Sequence, residues 1–184
     1  MNTPNKLTIA RICMIPFLVA ALQAGLSENI ALPLETARLI AMGLFILAAI
    51  TDWMDGYIAR KRNIATDFGR FMDPLADKIL VMSTMVYMVV LGDISPWVLI
   101  LMESRELIIS GVRMIAANKN VVIAAGITGK IKTVVQMIMI PTVLANLPHP
   151  FFNIIGQILI YAAIALTIIS AVDYIWNNKG VLKS

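Results

Sequence analysis

The 184-residue sequence is poor in charged residues, which occupy 14% of its positions, and it contains one cysteine and one histidine. The lone Cys13 excludes an intrachain disulfide. His149 lies between two prolines, where a turn residue is expected. No large soluble segment, long linker or internal repeat is visible, so the sequence predicts a single domain over residues 1–184.

Apolar residues, in contrast, are abundant. Hydrophobic side chains make up 59% of the chain, and its mean hydropathy is +0.83. Because a water-exposed surface of this kind would aggregate, lipid is the expected surrounding. The net charge of +4 does not indicate nucleic acid as a partner, since no basic stripe with interleaved aromatic residues is present.

The apolar runs and the turn residues between them predict an all-α integral membrane protein with six transmembrane helices. These helices are expected over residues 7–26, 34–60, 74–92, 96–117, 129–147 and 151–176. The first run could instead be a signal peptide with Lys6 and Arg11 as its basic region. Pro16 interrupts that run and no clear A-x-A cleavage site follows it, so a membrane helix is the favoured interpretation.

The distribution of lysine and arginine predicts the orientation. The joints on one side of the predicted membrane hold almost all of these residues, whereas the joints on the other side hold only Arg38. Basic joints are enriched on the cytoplasmic side. We therefore expect both termini, and the aspartate-rich stretch 51–80, to face the cytoplasm at an inner or plasma membrane.

Charged residues shorten the apolar part of several predicted spans. Only 13 uncharged residues separate Arg38 from Asp52, about 20 Å of helix against a hydrocarbon core of roughly 30 Å. The fourth helix contains four charged residues: Glu103, Arg105, Glu106 and Arg113. Ionisable residues at membrane depth usually face a bundle interior or a wet cavity. The sequence therefore predicts a polar, cytoplasm-facing cavity.

Four aspartates form two pairs at the cytoplasmic ends of the second and third predicted helices. Asp52 and Asp55 are three residues apart, and Asp73 and Asp77 are four apart, so each pair shares a helix face. A hairpin joined near Gly69 would bring the two faces together. Converging carboxylates repel one another, and oxygen ligands favour hard cations such as Mg²⁺ or Mn²⁺. This pattern predicts a site for two divalent cations.

Three of these aspartates also have a simpler interpretation. Asp52 and Asp55 could be solvated at a helix end, and Asp73 could cap the third helix, with Pro74 in its first turn. Asp67 is expected to be a loop residue. For a single aspartate the simpler interpretation is favoured, whereas four aspartates in face-sharing pairs favour the metal site.

The complete pattern is Asp52-x₂-Asp55-Gly56-x₂-Ala59-Arg60-x₈-Gly69-x₃-Asp73-x₃-Asp77. It resembles the signature of the CDP-alcohol phosphotransferases at all eight specified positions, which is far more specific than a short motif. The resemblance implies a six-helix membrane fold, usually a homodimer, whose four aspartates hold two divalent metals. Members of this family transfer a phosphatidyl-type group from a CDP-linked donor to an alcohol and release CMP.

The resemblance also implies roles for single residues. Asp77 would act as the base that deprotonates the attacking hydroxyl, in addition to binding metal. The residues expected to bind the CDP donor are Gly56, Ala59, Arg60, Gly69 and Thr8. Small side chains such as those of Gly56 and Ala59 would let a nucleotide approach the helix backbone, although they also suit helix packing in membranes.

The segments outside the signature resemble bacterial phosphatidylglycerophosphate synthases, whose donor is CDP-diacylglycerol and whose acceptor is glycerol 3-phosphate. A phosphorylated acceptor needs cations, and arginine suits a forked grip on phosphate. The residues predicted to bind this phosphate are Arg105, Arg113, Lys130 and Arg11. Arg113 could instead pair with Glu106, and Lys130 and Lys132 could anchor the fifth helix at lipid headgroups.

Two other functions stay open at this point. An enzyme of the same family could use another acceptor, such as inositol phosphate or a second phospholipid. A divalent-cation transporter would also place carboxylates within the membrane. Against a transporter, the signature aspartates gather at one mouth of the predicted bundle, and no carboxylate ladder continues across it.

Overall fold

The computed structural model describes residues 3–30, 32–62, 67–119, 121, 123 and 126–179. This part of the chain contains six helices and no strand, which confirms the all-helical prediction. The helices are α1 (Thr3–Leu26), α2 (Leu34–Arg62), α3 (Asp67–Val90), α4 (Pro96–Asn118), α5 (Ile127–Ala145) and α6 (Pro150–Asn177).

The third helix begins earlier than the sequence predicted. α3 starts at Asp67, and both Asp73 and Pro74 lie inside it. The capping interpretation of Asp73 is therefore wrong, as is the placement of Asp67 and Gly69 in a joint. Proline lacks a backbone N–H and commonly marks a helix boundary. For this reason the sequence pattern predicts a helix that begins at Pro74.

The chain divides into two compact units, Met1–Asp93 with Val143–Leu147, and Ile94–Thr142 with Pro148–Ser184. In the first unit, α1 packs against both α2 and α3. One face of α2 buries mostly alanines: Ala37, Ala41, Phe45 and Ala48. A Cβ on Gly25 of α1 would collide with the Cβ of Ala37, so glycine is required where α1 approaches α2. Small residues permit such close approach between membrane helices.

In the second unit, α4 packs against α6. The residues that α4 buries at helical spacing include Met102, Ile109, Val112 and Ala116. The residues that α6 buries are mostly small: Gly156, Ala163, Thr167, Ser170 and Tyr174. The hydroxyl of Thr167 donates to the Ala163 carbonyl at 2.7 Å. Buried hydroxyls in α6 are therefore satisfied within their own helix.

The outer surfaces of the helices are apolar, as a lipid surrounding requires. Large side chains that are more than half exposed include Phe17, Trp97, Leu107, Ile127 and Tyr161. Four described segments are long and apolar enough to cross a membrane: Thr8–Leu26, Leu34–Met54, Ile127–Ala145 and Pro150–Asn177. Such a set of helices is typical of a multi-pass membrane protein.

Arg38 and Asp93 form a buried ion pair in the first unit. Arg38 Nη2 donates to Asp93 Oδ1 at 2.9 Å, and the two side chains are 5% and 13% exposed. Burial raises the pKa of the Asp93 carboxyl, although the neighbouring guanidinium opposes this rise. Among the described residues, Arg38 Nε and Nη1 and Asp93 Oδ2 are buried without a hydrogen-bond partner. A single contact therefore has to offset the desolvation of both charges.

We expect Arg38→Met to lower the free energy of unfolding by about 3–5 kcal/mol, because it leaves Asp93 buried without its cation. The double variant Arg38→Met/Asp93→Leu should regain most of this loss, since replacing both members of a buried pair by apolar residues is often neutral or stabilising. Thermal unfolding in detergent, followed by circular dichroism, measures both effects. A double variant as unstable as the single one would contradict the expectation.

Candidate active site

The candidate site in the first unit starts from two buried polar residues of α1. Thr8 and Arg11 are 1% and 0% exposed, and their spacing of three places them on one helix face. The same face continues as an apolar buried stripe through Ile15, Leu18 and Leu22. The apolar stripe packs α1 into the first unit. Thr8 and Arg11, on the same face, are therefore held at a fixed place within that unit.

These two side chains contact three of the signature aspartates. Arg11 Nη1 contacts Asp52 Oδ1 of α2 at 2.8 Å and Asp77 Oδ1 of α3 at 3.1 Å. Thr8 Oγ1 donates to Asp73 Oδ1 of α3 at 2.6 Å. Carboxylates from two helices are thus gathered around one helix, α1, whose part in the site the spacing of the signature does not indicate.

The aspartates remain partly accessible although their arginine is not. The side chains of Asp52 and Asp77 are 37% and 44% exposed, whereas that of Arg11 is fully buried. The guanidinium therefore contacts the carboxylates from their buried side. Their remaining surface can receive a ligand from solvent.

Several residues of the signature are described only by their backbone. This holds for Asp55, Ala59, Arg60 and Gly69, of which only the backbone is described, as part of α2 and α3. Gly56 is a partly exposed position in α2. The metal-binding role of Asp55 and the donor-binding roles of the other four residues therefore stay predictions.

The chemistry of the described aspartates fits a divalent cation. Carboxylate oxygens are the ligands that Mg²⁺ and Mn²⁺ prefer, and those of Asp52 and Asp77 meet at one nitrogen atom of Arg11. Among the side chains that the structure describes, no three His, Cys, Asp or Glu residues lie close enough together to hold a metal ion. Since Asp55 is not among those side chains, the predicted set of four metal ligands stays a prediction.

The second unit contains a cluster of buried charges. Glu106 Oε1 of α4 accepts hydrogen bonds from Arg105 Nη1 and from Lys132 Nζ of α5, both at 2.7 Å. Arg105 is 9% exposed and Lys132 is 1% exposed. Two cations share one carboxylate, so the three side chains carry an excess positive charge. Within the described chain, Arg105 Nε is buried and has no hydrogen-bond partner, and such a group suits an anionic ligand.

The structure corrects the suggested pair of Glu106 with Arg113. Glu106 pairs with Arg105 and Lys132 instead. Arg113 donates from Nε to the Tyr174 hydroxyl at 3.3 Å, and its guanidinium carbon lies 5.7 Å from the centre of that ring. Tyr174 therefore positions Arg113 through a hydrogen bond and a cation–π contact.

Lys132 is the residue of this cluster that the sequence did not assign. The resemblance favoured Lys130, yet Lys130 is exposed whereas Lys132 is buried on Glu106. A signal was present in the sequence, because a glutamate within an apolar helix needs a cationic partner. This signal indicates that Glu106 needs a cationic partner, but it does not indicate which lysine is that partner.

Comparison with known proteins shows which family the chain resembles. The model of the CDP-alcohol phosphatidyltransferase family matches residues 1–169. A CDP-diacylglycerol--glycerol-3-phosphate 3-phosphatidyltransferase of Bacillus subtilis is 38% identical over 100% of this chain and 98% of its own length. A protein of the same name from Haemophilus influenzae is 38% identical over 98% of this chain and 95% of its own. A probable phosphatidylglycerophosphate synthase of Mycobacterium tuberculosis is also 38% identical, over 95% of this chain and 80% of its own.

The matched region contains every described contact of the signature aspartates, and the relatives match almost the whole chain. The protein therefore belongs to the CDP-alcohol phosphatidyltransferase family.

Proposed function

We propose that this protein transfers the phosphatidyl group of CDP-diacylglycerol to glycerol 3-phosphate, which gives phosphatidylglycerophosphate and CMP. The main support is the match to relatives named for this reaction over nearly the full length of both chains. The convergence of Asp52, Asp73 and Asp77 on one face of α1 supports the same conclusion, because these are the signature residues.

Enzymes of this family generally depend on a divalent cation. We propose that Asp52, Asp55, Asp73 and Asp77 hold two such ions, Mg²⁺ or Mn²⁺. When bound, the ions would neutralise the charge of the donor diphosphate and of the leaving CMP. Arg60 and three small residues of the signature, Gly56, Ala59 and Gly69, are proposed to bind the CDP part of the donor.

Asp77 is proposed to take the proton of the acceptor hydroxyl. The hydroxyl oxygen attacks the β-phosphorus of the donor, and the bond from that phosphorus to the CMP oxygen breaks in line with the attack. The proton passes to Asp77, and CMP leaves with the electron pair of the broken bond. Asp77 is 44% exposed and contacts Arg11 through Oδ1, so a partly accessible carboxylate is available for this transfer.

The acceptor phosphate is proposed to bind Arg105, with Arg113 and Lys130 as further cations. Arg105 is supported by its buried, unpartnered Nε and by the excess positive charge that it shares with Lys132 and Glu106. Arginine can grip phosphate with two parallel donors. The contacts of Arg11 and Thr8 with the aspartates favour other roles for those two residues.

We further propose six membrane spans and a polar cavity open to the cytoplasm of a plasma membrane. The excess of lysine and arginine in the joints on one side supports this orientation, with both termini inside. The buried Arg105 of α4 would then face the protein interior and not lipid. We also propose that the protein is a homodimer, as the family resemblance implies.

One assay separates the competing functions. The purified protein is incubated with CDP-diacylglycerol, Mg²⁺ or Mn²⁺, and one acceptor at a time, and CMP release is measured. We expect release with glycerol 3-phosphate and little with serine, because a phosphorylated acceptor matches the cationic cluster. Little release is expected with inositol phosphate or a second phospholipid, because the relatives are named for glycerol 3-phosphate.

Release with a different acceptor would keep the family and overturn the proposed substrate. Absence of release with every acceptor, together with Mn²⁺ flux into liposomes, would favour a cation transporter. Omission of the divalent cation should abolish CMP release, because no bound ion would then neutralise the charge of the donor diphosphate beside the carboxylates.

A further inference from the structure

We infer that Arg11 is a positioning residue that holds Asp52 and Asp77 in the arrangement a divalent cation needs. The inference rests on the metal-dependent function proposed above. It replaces the acceptor-phosphate role that the sequence predicted for Arg11.

The first observation is that one atom joins two helices. Nη1 of Arg11 contacts Oδ1 of Asp52 in α2 at 2.8 Å and Oδ1 of Asp77 in α3 at 3.1 Å. A charge-assisted contact of this length is among the stronger polar interactions in proteins. Arg11 therefore bridges one carboxylate of α2 and one carboxylate of α3 through a single nitrogen atom.

The second observation is the difference in exposure. Arg11 is 0% exposed, whereas the aspartate side chains that it contacts are 37% and 44% exposed. A substrate phosphate that enters from solvent meets the carboxylates before the guanidinium. Arg11 is therefore placed to act on the aspartates and not on the acceptor.

Thr8 extends the same support to the third described aspartate. Its hydroxyl donates to Asp73 Oδ1 at 2.6 Å, and Thr8 is 1% exposed. Thr8 and Arg11 lie on one face of α1, one turn apart. α1 thus contacts Asp52, Asp73 and Asp77 from their buried side.

Two effects of removing Arg11 oppose each other. Without the guanidinium, the two carboxylates lose the cation between them and repel each other, so they should shift apart and metal binding should weaken. The lost positive charge would by itself strengthen the attraction of a cation. Residues that orient metal ligands typically contribute 10–100-fold to metal affinity. A positioning role therefore predicts weaker binding, and a purely electrostatic role predicts tighter binding.

The experiment measures Mn²⁺ binding to the full-length protein in detergent by electron paramagnetic resonance, without substrate. We expect Arg11→Met to raise the Kd for Mn²⁺ by about 10–100-fold, and Arg11→Lys, which keeps the charge but not the fork, to raise it less. Thr8→Val removes only the hydroxyl and should also raise the Kd. Arg38→Met is the matched control, because it breaks another buried arginine–aspartate pair of the same unit.

We expect Arg38→Met to lower the melting temperature and leave the Kd for Mn²⁺ unchanged. Unchanged or tighter Mn²⁺ binding in Arg11→Met would overturn the inference, as would an equal loss of binding in Arg38→Met. If Arg11→Met does not fold, Arg11→Lys and Thr8→Val decide the question by the same measurement. A wild-type protein that binds no Mn²⁺ would also overturn it.

The readout separates this inference from the proposed function. Mn²⁺ binding that depends on Arg11, in a protein that releases no CMP with any acceptor, would retain the positioning role and reject the transferase. CMP release from the wild type, together with a Mn²⁺ affinity that does not depend on Arg11, would retain the transferase and reject the positioning role.

Discussion

Asp77→Asn should reduce turnover by about 10²–10⁴-fold, the range that a positioned general base contributes. Asparagine keeps the size of the side chain and an oxygen that can accept from Arg11, which contacts Asp77 at 3.1 Å. It cannot take the proton of the acceptor hydroxyl. We therefore expect CMP release to fall while binding of CDP-diacylglycerol, measured separately by calorimetry, is largely kept.

Asp173→Asn provides the matched control. Like Asp77, Asp173 is a hydrogen-bonded carboxylate: it accepts from Thr128 Oγ1 and from Asn177 Nδ2, both at 2.8 Å. It lies outside the signature, so its substitution should leave turnover close to the wild-type value. Full turnover in Asp77→Asn, or an equal loss in both variants, would remove Asp77 from the role of base.

The helices could be predicted from the sequence because their signals are local. Apolar runs and turn residues are read within a few positions, and they gave all six helices with ends close to those observed. The start of α3 was the main error. The segment from Asp67 to Pro74 contains three charged residues, a glycine and a proline, so its local pattern favours a joint although its backbone is helical.

The pairing of the aspartates on helix faces could also be predicted from local spacing, whereas their contacts with α1 could not. Helical spacing pairs Asp73 with Asp77 because both lie on one helix. The contacts of Thr8 and Arg11 join α1 to residues more than forty positions away. Such contacts depend on how α1 packs against α2 and α3, and no pattern within α1 specifies that packing.

The sequence did not show which of Lys130 and Lys132 contacts Glu106, for a related reason. Residues two apart point about 200° apart around a helix, so only one of them can face a given neighbour. Which one faces Glu106 depends on the rotation of α5 about its axis. That rotation is a property of the packed protein, and the structure shows Lys132 on Glu106 at 2.7 Å.

Glu106→Gln should lower the free energy of unfolding by about 3–5 kcal/mol. Among the described contacts, the Glu106 carboxylate is the negative charge that pairs with the two buried cations, Arg105 and Lys132, and the substitution removes it. Arg105 and Lys132 both contact Oε1 of Glu106 at 2.7 Å, so they are close enough to repel once that oxygen is uncharged. Thermal unfolding in detergent measures the loss. The double variant Glu106→Gln/Lys132→Met removes the repulsion and should recover part of the stability.

An added anion should compensate for the missing carboxylate. Inorganic phosphate or glycerol 3-phosphate would neutralise the two cations, so we expect each to raise the melting temperature of Glu106→Gln more than that of wild type. Sulfate and chloride at equal ionic strength control for screening. The same rise with chloride, or no greater rise in Glu106→Gln than in wild type, would show that the cluster stabilises the second unit without binding a phosphate. A phosphate-dependent rise that Arg105→Met abolishes in the Glu106→Gln background would place the anion at Arg105.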